Sequence, residues 1–187
     1  MATAEKLSMS LAEFLAWEEN QELKYEFDRG EVFAMTGGTF GHAELEGNIY
    51  IALRNLLRPR GCSVTMETLK VVVEERVFYP DVVVECRAKV ELSECIAKAP
   101  TILVEVLSES TEMFDKGKKW ENYQKIASLQ AYVLIAQDRV SVECYERNGH
   151  GWRYTHWTQK SEVLVIESME VQLPLTVIYE GVDVPEG

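Results

Sequence analysis

Two acidic residues stand in runs that are otherwise apolar. Glu105 sits within Thr101-Ile-Leu-Val-Glu-Val-Leu-Ser108, and Asp81 heads Asp81-Val-Val-Val-Glu85. An ionised carboxylate left unpaired in a core is strongly disfavoured, so burial of Glu105 calls for a partner or a cation. Strand side chains alternate, which puts Asp81, Val83 and Glu85 on one side and Thr101, Leu103, Glu105 and Leu107 together on theirs. On neighbouring strands with these faces matched, Asp81 and Glu105 reach one ion. Their hard oxygens suit Mg²⁺ or Mn²⁺, with water and a phosphate completing the shell and the backbone carbonyl of Val106 as a further donor.

Hydrolysis of a phosphodiester also needs a group that activates water or stabilises the charge developing on phosphorus, a role lysine fills beside a metal. Downstream of Glu105, Asp115, Lys119 and Tyr123 recur at i, i+4 and i+8, on roughly one face of a helix. Lys118 projects about 100° away from that face and is the weaker candidate. Each residue has a plainer reading. Asp81 could open a strand after Pro80, Glu105 could form a core ion pair, and Asp115 could cap its own helix. Tyr123 reads first as packing, His42 as a helix N-terminal residue, and Glu85 as the solvent-facing end of its strand.

The elements that must position these groups follow from pattern. Ser10-Leu-Ala-Glu13 has the form of a capping box and opens a short helix through Leu15 and Trp17. Tyr25 to Met35 reads as a hairpin turning at Asp28-Arg-Gly30, followed by the loop Gly37–Gly41. A helix is predicted from His42 to Arg58, with Leu45, Ile49, Leu53 and Leu56 on one face and Pro59 and Gly61 ending it. Strands are predicted near Ser63–Glu67, Leu69–Val73 and Val77–Cys86, then from Thr101, with a polar connection between the last two. A helix from Met113 to Ile126 leads into the apolar strand Ala131–Ala136. Short alternating strands close the chain at Val140–Arg147, Gly151–Thr158, Glu162–Glu167 and Val171–Leu173. Strand, helix, strand over residues 101 to 136 suggests a crossover in a mixed sheet. The fold class is therefore α/β or α+β: a central mixed sheet flanked by helices, as one domain over residues 1–187.

Composition bounds the function. The 187 residues are 47% hydrophobic and 27% charged, as in an ordinary globular chain. No apolar run reaches the length of a membrane span, and Met1 to Leu7 lacks the pattern of a secretory signal, so a cytoplasmic protein is expected. Cys62, Cys86, Cys95 and Cys144 form no Cys-x-x-Cys pair, and buried reduced thiols are expected at Cys86 and Cys144. With His42, His150 and His156 they give no zinc-ligand spacing. A net charge of −12, from 19 basic and 31 acidic residues, argues against broad nonspecific nucleic-acid affinity but not against a local basic cleft.

Pro80-Asp81, Glu105-Val-Leu-Ser108, Thr111, Asp115, Lys119 and Tyr123, in this order and spacing, resemble the Uma-type restriction-endonuclease family. That family lies within the restriction-endonuclease-like superfamily named for its PD-(D/E)XK motif. The resemblance extends to Tyr25-Glu26, Gly30-Glu31, His42 and Ala131-Tyr-Val-Leu134, from about Ser8 to Leu173. It implies a restriction-endonuclease-like core and Mg²⁺-dependent (or Mn²⁺-dependent) cleavage of DNA, leaving a 5′-phosphate. Asp81 and Glu105 would hold the metal, with Glu26 as an added acid. The superfamily's lysine, two residues after the second acid, is Leu107 here. The resemblance implies that its function has moved to Lys119. A homodimer suits an enzyme that cuts two strands. Two other readings stand beside this one: a noncatalytic binding or assembly module on the same fold, which Leu107 and the acidic balance favour, and a metal-dependent hydrolase of a smaller phosphorylated substrate.

Overall fold

The computed structural model describes residues 9–35 and 37–187; residues 1–8, which include the segment read for a secretory signal, lie outside them. Helix α1 (Leu11–Glu18) starts at Ser10, whose hydroxyl accepts from the Glu13 N–H while the Glu13 carboxylate accepts from the Ser10 N–H. The capping box therefore forms as the sequence predicts. Strands β1 (Tyr25–Asp28) and β2 (Glu31–Ala34) make the expected hairpin. Its turn residues Arg29 and Gly30 both have positive φ, at 48° and 94°. That is the handedness a tight two-residue hairpin turn requires. Helix α2 (Phe40–Leu57) begins at Thr39, which caps the His42 N–H.

Strands β3 (Ser63–Met66), β4 (Val71–Val73), β5 (Arg76–Phe78), β6 (Val82–Glu85) and β7 (Pro100–Leu107) follow. The next helix is composite: α3 (Glu112–Phe114), a π-helical turn at Asp115–Lys119, and α4 (Trp120–Tyr123). Strands β8 (Ala131–Ala136), β9 (Val142–Asn148) and β10 (Gly151–Trp157) come next. After them the chain forms β11 (Val163–Ile166), β12 (Val171–Pro174) and a terminal turn of helix, α5 (Leu175–Ile178), which the sequence pattern did not announce.

The central sheet is six-stranded, in the order β10-β9-β8-β7-β6-β3. Strands β7 and β8 run parallel through the composite helix, and the other pairs are antiparallel, so the sheet is mixed. One face packs Val82, Val84, Val104 and Val133 against Leu45, Ile49, Leu53 and Leu57 of α2 and against the β11–β12 pair. The other packs Val83, Leu103, Leu107 and Leu134 against Tyr123 of α4 and Val71, Val73 and Phe78. Burial on both faces explains why β7 and β8 read as continuous apolar runs. Among the described residues, no helix is long and apolar enough to cross a membrane.

Four details differ from the sequence reading. The single strand expected over Val77–Cys86 is two: β5 belongs to a second, four-stranded sheet (β2-β1-β5-β4) and β6 to the central one. Pro80 lacks the N–H that a central ladder needs, and the chain crosses between sheets there. Leu56 is 40% exposed, and Leu57 occupies the buried stripe of α2 instead. Glu85 is buried rather than solvent-facing, because the returning chain covers it and the Ala99 N–H donates to its carboxylate at 2.6 Å. Cys86 is not a buried thiol. It is exposed and disulfide-bonded to Cys62, because β3 and β6 pair Ser63 with Glu85 and so bring the next residues together across the strands. Cys144 is buried and free, as expected.

Candidate active site

Register sets the acid pair. Strands β6 and β7 align Val82 with Val104 and Val83 with Leu103, so one step further along this antiparallel ladder Asp81 stands across from Glu105. Both project to the face occupied by Val83, Leu103 and Leu107, and both line a cavity of about 330 Å³ at the seam between the two sheets. Asp81 Oδ2 accepts from the Val106 N–H at 2.6 Å, which fixes one edge of the carboxylate and brings Val106 to the site through its backbone.

The composite helix lies over these strands and directs Lys119 to the acids. Its ammonium is 3.0 Å from Glu105 Oε1, 3.1 Å from Asp115 Oδ1 and 3.3 Å from Glu26 Oε1. Tyr123, one turn on, donates its hydroxyl to the same Glu105 oxygen at 3.1 Å. Glu26, from β1, is held by the Tyr79 N–H at 3.1 Å. Lys118 points elsewhere, to an ion pair with Asp28. Leu107 is buried against the Tyr123 side of the sheet. Asp115 opens the π turn directly after α3 and is not the N-cap of its helix.

Charge in this pocket is unbalanced. Glu26, Glu105 and Asp115 share one ammonium, and Asp81 adds a fourth carboxylate beside them. Burial pushes the Glu105 carboxyl well above the usual range; Lys119 opposes the shift, and Asp115, Asp81 and Glu26 add to it. Burial likewise raises Glu26, against the pull of Lys119 and the Tyr79 N–H. For Lys119, burial alone would lower the ammonium's pKa, but Glu105, Glu26 and Asp115 outweigh it and hold the value well above ordinary lysine. The lysine therefore stays charged, and the carboxylates around it outnumber its single positive charge.

The opposite wall comes from α2. His42 Nε2 lies 3.4 Å from Asp81 Oδ1, so a residue read first as a helix N-terminal one serves both ends: its N–H is capped and its ring meets the acid. One turn further, Glu46 is buried to 3% exposure, and its Oε1 has no hydrogen-bond partner among the described residues. Burial, then the nearby Asp81 and Glu67 charges, push the Glu46 carboxyl up to about 7. The sequence reading missed this group, although Glu46, Ile49 and Leu53 are spaced by three and four and so share the buried stripe. Glu67 also lines the cavity. It holds a positive φ of 50° while its N–H donates to the Asp81 carbonyl at 2.9 Å.

A stability consequence follows for Glu46. A carboxyl raised in the folded state contributes fully below its ordinary pKa of 4.5, and that contribution is lost as pH rises through about 7. In metal-free buffer Glu46→Gln should therefore be more stable than the parent at pH 8, by on the order of 3 kcal/mol. Urea unfolding at a series of pH values should show the two proteins converging towards pH 4.5. A difference independent of pH would mean that Glu46 is ionised without penalty.

The residues fit a hard divalent ion. The carboxylate oxygens of Asp81, Glu105 and Glu26 predominate, with the His42 ring nitrogen beside Asp81, and the acids outnumber the Lys119 ammonium. Among the described residues no group of three or more His, Cys, Asp or Glu side chains has metal-holding geometry. Mg²⁺ needs no such cage, since it takes one or two carboxylates and fills its shell with water and substrate phosphate.

Comparison with known proteins agrees with this architecture. A family model described as "Uma2: Putative restriction endonuclease" matches residues 11–177. Two proteins of Synechocystis sp. (strain ATCC 27184 / PCC 6803 / Kazusa), both described as uncharacterized, align over most of the chain. The first, slr1290, is 32% identical over 176 residues, covering 92% of each chain. The second, sll1609, is 31% identical over 153 residues, covering 80% of this chain and 86% of the other. A crystal structure from Anabaena variabilis ATCC 29413, described as a putative nuclease belonging to DUF820, superposes with a TM-score of 0.78 at 17% identity. It spans 94% of this chain and 99% of its own. At that identity the likeness establishes the fold. With the family model covering nearly the whole chain and relatives above 30% identity along its length, the chain belongs to the Uma2 family of restriction-endonuclease-like proteins.

Proposed function

We propose that the protein is a metal-dependent endonuclease that hydrolyses phosphodiester bonds in DNA. The observation that carries this reading is the Asp81–Glu105 pair at the floor of the cavity with the Lys119 ammonium 3.0 Å from Glu105. Asp81 and Glu105 would hold Mg²⁺ or Mn²⁺, with the Val106 carbonyl and Glu26 as further oxygen donors. The ion, when bound, polarises the phosphoryl group and lowers the pKa of a coordinated water. Lys119 donates hydrogen bonds to the oxygens on which charge accumulates as water adds to phosphorus, and Glu26 and Asp115 keep its ammonium in place. Tyr123, one helical turn beyond Lys119, donates to the same Glu105 oxygen and helps fix its rotamer. Water attacks in line, the bond from phosphorus to the 3′-oxygen breaks, and the product carries a 5′-phosphate.

Leu107 supports the assignment to Lys119. Its buried apolar side chain occupies the strand position from which a superfamily lysine would start, and Lys119 enters the same acid cluster from the helix. The test is cleavage of plasmid and linear DNA by purified protein, with Mg²⁺, Mn²⁺ or EDTA, and Asp81→Asn as control. Metal-dependent nicking that the variant lacks is the expected result. No cleavage of DNA by the parent protein with either ion would turn the assignment towards a binding module.

A further inference from the structure

Strand β10 is an edge strand of the central sheet, and at seven residues it is longer than the other edge strands: β3 has four, and β2 and β4 of the second sheet have four and three. We propose that β10 pairs antiparallel with β10 of a second copy, joining the two central sheets into one. Nothing in this pairing depends on the chemistry of the cavity.

The direction of the backbone groups supports it. Strand β9 sends the Arg147 N–H to the Gln130 carbonyl, and the Ser141 carbonyl accepts from the Ala136 N–H. Odd-numbered β9 residues therefore point towards β8, and even-numbered ones bond β10. With Arg147 opposite Trp152 and Tyr145 opposite Tyr154, the N–H and C=O groups of Trp152, Tyr154 and His156 point away from β9. Among the described residues, no hydrogen bond outside the β9–β10 ladder engages these groups. The strand also lacks the features by which edges are usually blunted: it has no proline, no lysine and no bulge.

The strand is complementary to itself rather than merely open. With Tyr154 on a two-fold axis, Trp152 faces His156 of the second copy and Arg153 faces Thr155. No like charges stand directly opposite, and the two Arg153 side chains, diagonal to one another across the seam, are each already engaged by Glu146 and Glu167 of their own chain. Tyr154 is 50% exposed, and its ring lies 5.1 Å from Tyr145, which in turn stacks on Trp120 at 4.1 Å. Pairing continues this aromatic row across the seam, where facing aromatic pairs stabilise a sheet. A nucleic-acid strand is a poorer occupant, given a net charge of −12. The axis runs perpendicular to the sheet, so both copies carry the Lys119-bearing helix on the same side.

Sedimentation equilibrium of the full chain tests the pairing. The parent should have twice the chain mass. Tyr154→Pro removes an outward N–H without touching the β9 ladder, and Tyr154→Lys places two ammonium groups at the axis. Each should be monomeric with unchanged circular dichroism. Register is read by oxidation in a Cys95→Ser background. Tyr154→Cys should cross-link to itself, because paired residues at the axis lie within disulfide reach, whereas Trp152→Cys should cross-link only when His156→Cys is also present. A monomeric parent, a dimer indifferent to Tyr154→Lys, or self-cross-linking through residue 152 alone would each overturn the proposal.

Discussion

Glu105→Gln should abolish metal-dependent DNA cleavage, with a loss of about 1,000-fold or more, and should leave the fold as stable as the parent or more so. The two halves of this expectation have one cause. Glu105 lies in an apolar strand with its carboxyl raised by burial and by three neighbouring acids, so its charge is held at a cost to folding. The amide keeps the shape and can still accept from Tyr123. Lys119 retains Glu26 and Asp115. Asp81→Asn should behave alike, since the amide oxygen can still accept from the Val106 N–H. Calorimetric titration with Mn²⁺ and thermal unfolding, run beside the cleavage assay, separate the outcomes. Loss of activity through unfolding would make the acids structural, and full activity in either variant would place the chemistry elsewhere.

The opposite signature is expected at Lys119. Lys119→Ala leaves Glu26, Glu105 and Asp115 buried without their shared ammonium, which should destabilise the protein by about 3–5 kcal/mol at pH 7. The sign follows from linkage: a lysine held above its ordinary pKa contributes fully at all pH values below that ordinary value, so the loss is complete at neutrality. Lowering the pH should narrow the gap, because Glu105 and Glu26, both raised, take up protons. Added Mg²⁺ should stabilise the variant more than the parent, the ion standing in for the missing charge. Cleavage by whatever variant remains folded should fall about 100-fold to 1,000-fold, the usual loss of one transition-state donor. Lys118→Ala, which removes a partly exposed pair with Asp28, should cost about 1 kcal/mol or less. Equal effects of the two substitutions in chemical denaturation would refute the distinction.

What could be read from the sequence was what is local. Glu105 declared itself by being the one charge in an apolar run, and the facing of Asp81 and Glu105 followed from strand alternation once the strands were neighbours. The face shared by Asp115, Lys119 and Tyr123 followed from helical spacing. What could not be read depended on which strands meet. The division of Val77–Cys86 between two sheets was marked only by Pro80, whose effect is decided by the ladder it would interrupt. The Cys62–Cys86 bond required the register of β3 on β6, and the two residues are 24 apart in sequence. Burial of Glu85 required the return of the chain at Ala99. Glu46 is a different case: its spacing was visible, but an acid on an apolar stripe has no interpretation until Asp81 and Glu67 are brought beside it.

The wide turn at Asp115–Lys119 has a consequence for the phase of the helix that carries the lysine. In a regular α-helix, each step of four residues overshoots a full revolution by about 40°, so three residues at that interval spiral progressively off one line. A turn closed from residue i to i+5 holds more residues per revolution, and four of them fall short instead. The undershoot from Asp115 to Lys119 and the overshoot from Lys119 to Tyr123 then largely cancel, and the acid, the base and the phenol come back into alignment over Glu105. The extra residue works as a phase corrector. Excising Gly117, whose Cα faces open space, would relax the turn to an ordinary helix: Asp115, then seven residues before Tyr123, would stay within about 20° of its line, while Lys119, only three residues after Asp115, would fall about 60° away from it.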